Sequence, residues 1–242
     1  MCSHGSHQTK RSYRVCYRLP HNVQSFHELD ICGICARCGN SIRNMEGTTT
    51  SAKMLDFLFL VGKLKHVKRT GWLLRNVPDP ECVAGHMHRM AVITFLLDSS
   101  QSSLDRDKCM QLALIHDLAE CIVGDLTPHC GVDPEEKHKR EDEAMKELCN
   151  LAGAAGAELY SLYKEYEAKS TSEAKFVKEL DNLDMILEAF SYEKAENQPG
   201  HLQEFFDSTE GKFAHPLILS IVKELHKRRS EFSEGQNKRE NK

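Results

Sequence analysis

One stretch of the chain, residues 112–126, reads Leu-Ala-Leu-Ile-His-Asp-Leu-Ala-Glu-Cys-Ile-Val-Gly-Asp-Leu. With the residues just before it, this stretch repeats apolar positions at steps of three and four, which is the period of an amphipathic helix. Asp105 is a residue type that caps helix N-termini, and Gly124 is one that ends helices. The pattern therefore predicts one helix from Asp105 to Gly124.

Ionisable side chains lie on the apolar stripe of this predicted helix. His116 and Glu120 continue the spacing of the buried positions, and Asp117 is adjacent to His116. Burying such groups without partners is costly in free energy. Their placement therefore indicates a site rather than a plain core.

Two other predicted helices repeat this arrangement. His86 lies between Val83 and Met90 on an apolar face, and Asp181 follows Val177 by four residues at the edge of another. Two imidazoles and two carboxylates form a mixed nitrogen and oxygen ligand set, which suits Mn, Co, Fe, Zn or Mg. The alternative is four separate core polar groups, each with its own partner. Four inward groups on three helices favour a metal site.

The chain from Met54 onward is helical in pattern, with no segment of strand period, so the sequence predicts an all-α fold. The first helix carries four apolar residues as its markers: Leu55, Leu58, Val61 and Leu64. The second is expected to begin at Pro80, with Asp79 as its N-cap.

Later segments complete a single helical bundle at residues 51–230. They include a charged helix from about Glu135, a long helix that begins with a Ser170–Glu173 capping box, and a last helix opened by Pro216. Residues 1–50 are predicted to be a disordered, Cys- and His-containing extension, and residues 231–242 a disordered tail.

The composition excludes several functional classes. The chain has 242 residues, 40% of them hydrophobic, and a net charge of -4, which gives no footprint for nucleic-acid binding. No apolar run approaches the roughly 20 residues of a membrane span, and the N-terminus lacks the core of a secretory signal. The 10 cysteines do not form a disulfide framework. We therefore expect a cytoplasmic protein, with the nucleus as an alternative.

The motifs around the four ligands resemble those of the HD-domain metallophosphohydrolases, and within them the HD-containing 5'-deoxynucleotidases. Besides residues 112–126, the resemblance includes four stretches: Arg69-Thr70-Gly71-Trp72, Arg75-Asn76-Val77, Glu173 through Asp181, and Phe205 through Pro216. It covers about residues 53–228. It implies hydrolysis of the 5'-phosphate of deoxyribonucleoside 5'-monophosphates, a divalent metal (Mn, Co or Mg) and a homodimer.

The resemblance also implies roles for individual residues. The residues that match metal ligands are His86, His116, Asp117 and Asp181. Arg69 matches a phosphate-orienting and catalytic arginine, and Trp72 matches an aromatic residue set against the sugar. Glu120 is expected to position water or shuttle a proton. Asp125 is expected to bind the sugar, or to hold a second metal together with Glu120 and Leu126.

Alternatives remain open at this point. Another HD-type nucleotide phosphohydrolase or phosphodiesterase would use the same ligands, and a non-catalytic HD scaffold would keep only the fold. Gly85 stands before the first ligand, where relatives often have an acidic residue, so we expect altered metal affinity.

The N-terminal cysteines offer a weaker signal. Cys32, Cys35 and Cys38 form part of a zinc motif, and the fourth ligand would have to be Cys16, His21 or His27. An unstructured leader is the alternative. The basic residues of this segment are also compatible with an organelle transit peptide, although no apolar face accompanies them.

Overall fold

The structure is a computed structural model, and it describes residues 49–98 and 102–240. The cysteine cluster at Cys32, Cys35 and Cys38, its proposed partners and the transit-peptide reading lie outside the described residues, so they stay predictions.

Helices account for nearly all regular structure in these two ranges, which confirms the predicted all-α fold. The α-helices are α1 (Thr50–Gly62), α2 (Thr70–Leu73), α3 (Val83–Ile93), α4 (Arg106–Ile115), α5 (Glu120–Val123), α6 (Pro134–Ala152), α7 (Gly156–Ala168), α8 (Ser172–Ala195), α9 (Gln203–Asp207) and α10 (Pro216–Glu240). Short 3-10 turns lie at Lys63–Lys65, Thr94–Leu96, Pro128–Cys130 and Gly153–Ala155. No described helix is both long enough and apolar enough to cross a membrane.

Two apolar clusters form the core. One includes Met90 and Leu112, and the other includes Val83 and Leu118. Helix α3 therefore contributes to both clusters, whereas α4 contributes Leu112 to the first and the turn that follows it contributes Leu118 to the second. His86 lies in sequence between Val83 and Met90, and His116 lies between Leu112 and Leu118, so both histidines stand where the two clusters adjoin.

The first helix forms as predicted, but its buried side differs from the prediction. Leu55 and Leu58 are exposed, whereas Phe57, Leu60 and Val61 pack against the second apolar cluster. Because α1 carries apolar residues on more than one side, the spacing alone does not select the face that packs.

Helix α3 begins at Val83 with Cys82 as its N-cap, so the predicted start at Pro80 was wrong. Residues 81–83 instead pair with residues 67–69. The amide of Arg69 donates to the carbonyl of Glu81 at 3.1 Å, and Lys68 and Cys82 form an antiparallel bridge. Because the backbone groups of Glu81 and Cys82 are paired with this other segment, the helix begins only after Cys82.

The predicted helix from Asp105 to Gly124 is interrupted. Asp105 caps α4 as expected, but residues 116–119 form a turn between α4 and α5. The bonds there span three residues rather than four, as in Leu118 to Ile115 and Glu120 to Asp117. Residues 118–121 are all buried, so this segment is enclosed on several sides rather than on one stripe. Such tightened bonds are common at helix ends.

Two helix termini also differ from the prediction. Thr171, not Ser170, caps α8, because its hydroxyl accepts from the amide of Ala174 at 3.2 Å. At the other end of the chain, α10 continues to Glu240 where a disordered tail was expected from residue 231. Phe232, near the start of this added segment, makes an edge contact with Phe190, with ring centroids 6.0 Å apart.

Candidate metal centre and active site

The first ligand candidate, His86, is fully buried on α3. Its Nδ1 lies 2.7 Å from Oδ2 of Asp184, a carboxylate that is itself fully buried on α8. A carboxylate oxygen accepts, so Nδ1 is the donor here and Nε2 is the atom that a metal would take. That Nε2 faces Asp181 Oδ1 at 3.3 Å and Asp117 Oδ2 at 3.6 Å.

The second ligand candidate, His116, directly follows the last residue of α4. Its Nδ1 lies 3.0 Å from the carbonyl of Ala113, which can only accept. Nδ1 is therefore the donor here too, and Nε2 is left to face Asp117 Oδ2 at 3.1 Å. The His116 ring packs against Tyr166, with centroids 5.0 Å apart.

The two carboxylates of the cluster are held in the ionised form. Burial opposes their ionisation, but His116 lowers the pKa of Asp117, and Lys178 and His86 lower the pKa of Asp181. Lys178 donates to Asp181 Oδ2 at 2.7 Å, and the Tyr166 hydroxyl donates to the same oxygen at 3.3 Å.

These groups fit a divalent cation. The ligand atoms of His86, His116 and Asp181 all lie within 4.8 Å of one another, and Asp117 joins them through its distances to both imidazoles. The Nε2 atoms of His86 and His116 are buried and have no hydrogen-bond partner among the described residues. Buried donors and acceptors without partners are rare unless an ion or water completes them. The structure thus brings all four predicted ligands together.

Arg69 and Asp125 reach the same cavity from two loops. The cavity is about 300 Å³ and is also lined by Glu120, Leu126 and Lys137. Nη1 of Arg69 lies 3.9 Å from Asp117 Oδ2, and the neighbouring acids keep this guanidinium charged despite its burial. Asp125 is tied to the residue after Arg69: the Thr70 amide donates to Asp125 Oδ2, and the Thr70 hydroxyl donates to the Asp125 carbonyl at 2.7 Å.

Glu120 is nearly fully buried in the wall of this cavity. Its Oε2 has no hydrogen-bond partner in the described part of the chain. Burial, together with the charges of Asp117 and Asp125, raises the pKa of this carboxyl. Among the described residues, the clusters of side chains close enough to hold one metal ion do not include Glu120 or Asp125. A second metal at Glu120, Asp125 and Leu126 therefore stays a prediction.

A family model described as an HD domain matches residues 61–219 of the chain. The chain belongs to the HD-domain family. The 5'-deoxynucleotidase HDDC2 of Bos taurus is 54% identical over 178 residues, which cover 73% of this chain and 86% of the bovine protein. HDDC2 of Homo sapiens is 53% identical with the same coverage of 73% and 86%. A predicted metal-dependent phosphohydrolase of Magnetospirillum magnetotacticum, a solved structure, matches with a TM-score of 0.58 at 26% identity, over 76% of this chain and 94% of that one.

Trp72 occupies a different place in this HD domain from the metal ligands. It is almost fully buried, it donates from Nε1 to Glu81 Oε1 at 3.1 Å, and it packs against Phe205 with centroids 4.4 Å apart. It does not line the metal cavity but lines a neighbouring one of about 280 Å³. Its role against the sugar stays a prediction.

Sequence reasoning missed the residues that support the HD-domain ligands. Asp184 follows Asp181 by three residues and Arg89 follows His86 by three, so each pair shares a helix face. Arg89 donates to Asp184 and to Glu188, which fixes the carboxylate that holds His86. This helical spacing was the available signal.

Two residues beside the first ligand behave differently from the supports. His88, two residues after His86, is exposed. Gly85 is exposed as well, and the nearest atom to a Cβ built there is Cys82 Sγ at 3.7 Å. In this chain the hydrogen-bond partner of His86 Nδ1 is Asp184 and not the residue before the ligand.

Proposed function

We propose that this HD-domain protein hydrolyses deoxyribonucleoside 5'-monophosphates to a deoxynucleoside and inorganic phosphate. The observation that carries the proposal is the convergence of His86, His116, Asp117 and Asp181 on one point beside Arg69. The relatives named 5'-deoxynucleotidase are more than half identical to the chain and match most of their own length.

The four ligands would hold a divalent metal, for which Mn, Co and Mg are the candidates. Carboxylate and imidazole donors suit all of these ions better than they suit a thiol-seeking one. When bound, such a cation acts as a Lewis acid: it makes water more acidic and offsets negative charge on the phosphate.

Arg69 binds the phosphate. Its guanidinium is mostly buried, stays charged and lies beside Asp117 at the edge of the ligand cluster. A guanidinium can donate two parallel hydrogen bonds to phosphoryl oxygens, and it stabilises the charge that builds on them in the transition state. Lys137, on the same wall, adds positive charge.

Glu120 moves the proton. In its ionised form Glu120 accepts a proton from the attacking water through Oε2, which has no hydrogen-bond partner among the described residues, and the water oxygen forms the new bond to phosphorus. The bond from phosphorus to the 5' oxygen breaks, and Glu120 returns the proton to that oxygen. Water and the monophosphate thereby become phosphate and a free 5'-hydroxyl.

Asp125 and Trp72 select the sugar. The Asp125 carboxylate, held by the Thr70 amide, accepts from the 3'-hydroxyl. The buried Trp72 indole limits the space beside the 2' carbon, which favours deoxyribose.

We further propose a cytoplasmic homodimer. The cysteines among the described residues are free, as expected in a reducing compartment: Cys82, Cys109, Cys121, Cys130 and Cys149. Helix α1 exposes Met54, Leu55, Leu58 and Phe59, which a second copy would cover. Light scattering after size-exclusion chromatography tests the dimer. A monomeric mass at micromolar concentration contradicts it.

The activity is tested by phosphate release from a panel of ribo- and deoxyribonucleoside monophosphates, cyclic nucleotides and triphosphates, with Mn, Co or Mg added after chelation. We expect release from deoxyribonucleoside monophosphates only with metal. Release no greater than that of an Asp117→Ala variant sinks the proposal. Equal rates for ribose and deoxyribose substrates remove the role of Trp72.

A further inference from the structure

A second cavity adjoins the metal cavity at Arg69. It shares Arg69, Asp125, Thr127 and Pro128 with the metal cavity, so the two adjoin. None of the four metal ligands lines it. A molecule with its phosphate at the metal and Arg69 and its sugar at Asp125 would continue into this space.

One wall of the second cavity is apolar. Phe205 on α9 packs on Trp72, with ring centroids 4.4 Å apart, and Met185 on α8 contributes next to them. Gly71 lies beside this ring, since a Cβ built there would contact Phe205 at 3.4 Å. A flat aromatic ligand can stack on such a wall whatever its polar edge.

Two planar polar groups, the Arg75 guanidinium and the Glu204 carboxylate, also line this cavity. Arg75 and Glu204 face each other through two hydrogen bonds, one of them from Nη2 to Oε2 at 2.6 Å. The Arg75 guanidinium also lies over the Phe205 ring, 5.6 Å from its centroid. The pair is partly exposed, and exposed ion pairs add little to folding stability. The edge of a nucleobase, however, carries hydrogen-bond donors and acceptors side by side, and a guanidinium next to a carboxylate can pair with both.

We propose that the second cavity binds the nucleobase, with Phe205 as the stacking surface and the Arg75–Glu204 pair as the contact to the base edge. This inference rests on the proposed deoxynucleotidase activity and adds the specificity-determining residues to it. Stacking accepts every base, whereas the contact of Glu204 distinguishes bases by the donors on their edges.

The test compares substrates with and without a base. We expect Phe205→Ala to lower kcat/KM by about ten- to hundredfold for all four deoxyribonucleoside monophosphates, from the loss of one stacked ring. The same variant should hydrolyse 2-deoxyribose 5-phosphate as fast as the wild type does. Glu204→Gln should change the ratios among the four bases rather than lower all of them alike.

The chain offers a matched control pair. Arg106 lies over Phe95 at 5.4 Å, with the same chemistry, and neither residue lines either cavity. Phe95→Ala and Arg106→Ala should leave both kinds of substrate unaffected. Phe205→Leu, which keeps most of the packing volume, separates a loss of stacking from a loss of fold, and thermal unfolding measures the latter.

Inhibition gives a second readout if the base-free substrate reacts slowly. Phe205→Ala should weaken inhibition by a deoxynucleoside and leave inhibition by inorganic phosphate unchanged. Equal losses with and without a base, or an unchanged set of base ratios in Glu204→Gln, overturn the base-binding site alone. A wild-type protein that hydrolyses no deoxyribonucleotide overturns the proposed function together with this inference.

Discussion

The regions around His86 and His116 reach the same result by different means. Both imidazoles donate from Nδ1 and present Nε2 to the same point. For His86 the acceptor is the Asp184 side chain, 98 residues away, whereas for His116 it is the Ala113 carbonyl one turn back. One ligand therefore depends on tertiary packing, and the other is set by its own helix.

This difference determines which of the two hydrogen-bond acceptors a mutation can remove. Asp184 is fully buried between His86 and Arg89, so its charge matters to both neighbours. Removing one member of such a buried network leaves another charge without its partner. The Ala113 carbonyl belongs to the backbone and stays whatever side chain stands there.

The largest effect is expected from removing a ligand itself. His116→Ala should lose both the bound metal and phosphate release, down to the level of a blank without protein, because an open ligand set no longer holds the cation. Metal content by mass spectrometry and phosphate release measure this. His88→Ala, an exposed histidine near the first ligand, is the control and should behave as the wild type. Metal retained by His116→Ala would show that the centre lies elsewhere.

The next effect concerns the support of His86. Asp184→Asn keeps an acceptor for Nδ1 but removes the charge, and we expect metal affinity to fall by about 10- to 100-fold, as for other residues behind metal ligands. Titration calorimetry with Mn measures it, and the exposed Asp56→Asn serves as the control. Unchanged affinity would remove the distinction between the two histidines.

A smaller effect is expected where the two regions meet. Tyr166 packs on His116 and donates to Asp181, so Tyr166→Phe removes only the hydrogen bond of 3.3 Å. One such bond contributes about 0.5–1.5 kcal/mol, which corresponds to a loss of roughly two- to tenfold in kcat/KM. Tyr160→Phe, which removes a hydroxyl bound to Asp142 outside the metal cavity, is the matched control. A thousandfold loss would mean that the Tyr166 hydroxyl touches the reacting groups.

The smallest effect tests the residue before His86. Gly85→Ala should stabilise α3 by up to ~1 kcal/mol, because alanine favours helices and the space beside Gly85 is open to a Cβ. Urea unfolding measures it, with Gly124→Ala as an opposite control, since Gly124 has a φ of 76°. A change in metal affinity in Gly85→Ala would instead support the prediction that residue 85 influences the ligand His86.

The convergence of these four side chains was predictable, because an ionisable residue on an apolar stripe is visible in the sequence. His86, His116 and Asp181 stand out in this way, and Asp117 follows from its neighbour. Asp184 carried the same signal, three residues after Asp181, but was not recognised because its partner is on another helix.

Other features depend on packing that no local pattern encodes. The bond between Thr70 and Asp125 joins loops 55 residues apart. The packed side of α1 could not be chosen, since Leu58 is as apolar as Leu60 and only the second packs. The start of α3 shifted because Glu81 and Cys82 pair with a distant segment.

The Thr70–Asp125 bonds have a consequence for inhibitor chemistry. They join the segment of Arg69 to the loop of Asp125 where the two cavities adjoin, so two hydrogen bonds hold this junction together. We expect compounds with bulky groups on the sugar to bind weakly, because this junction cannot widen without breaking those hydrogen bonds. Analogues altered at the phosphate or the base should keep their affinity far better, and these two ends are where selective ligands for this protein can be built.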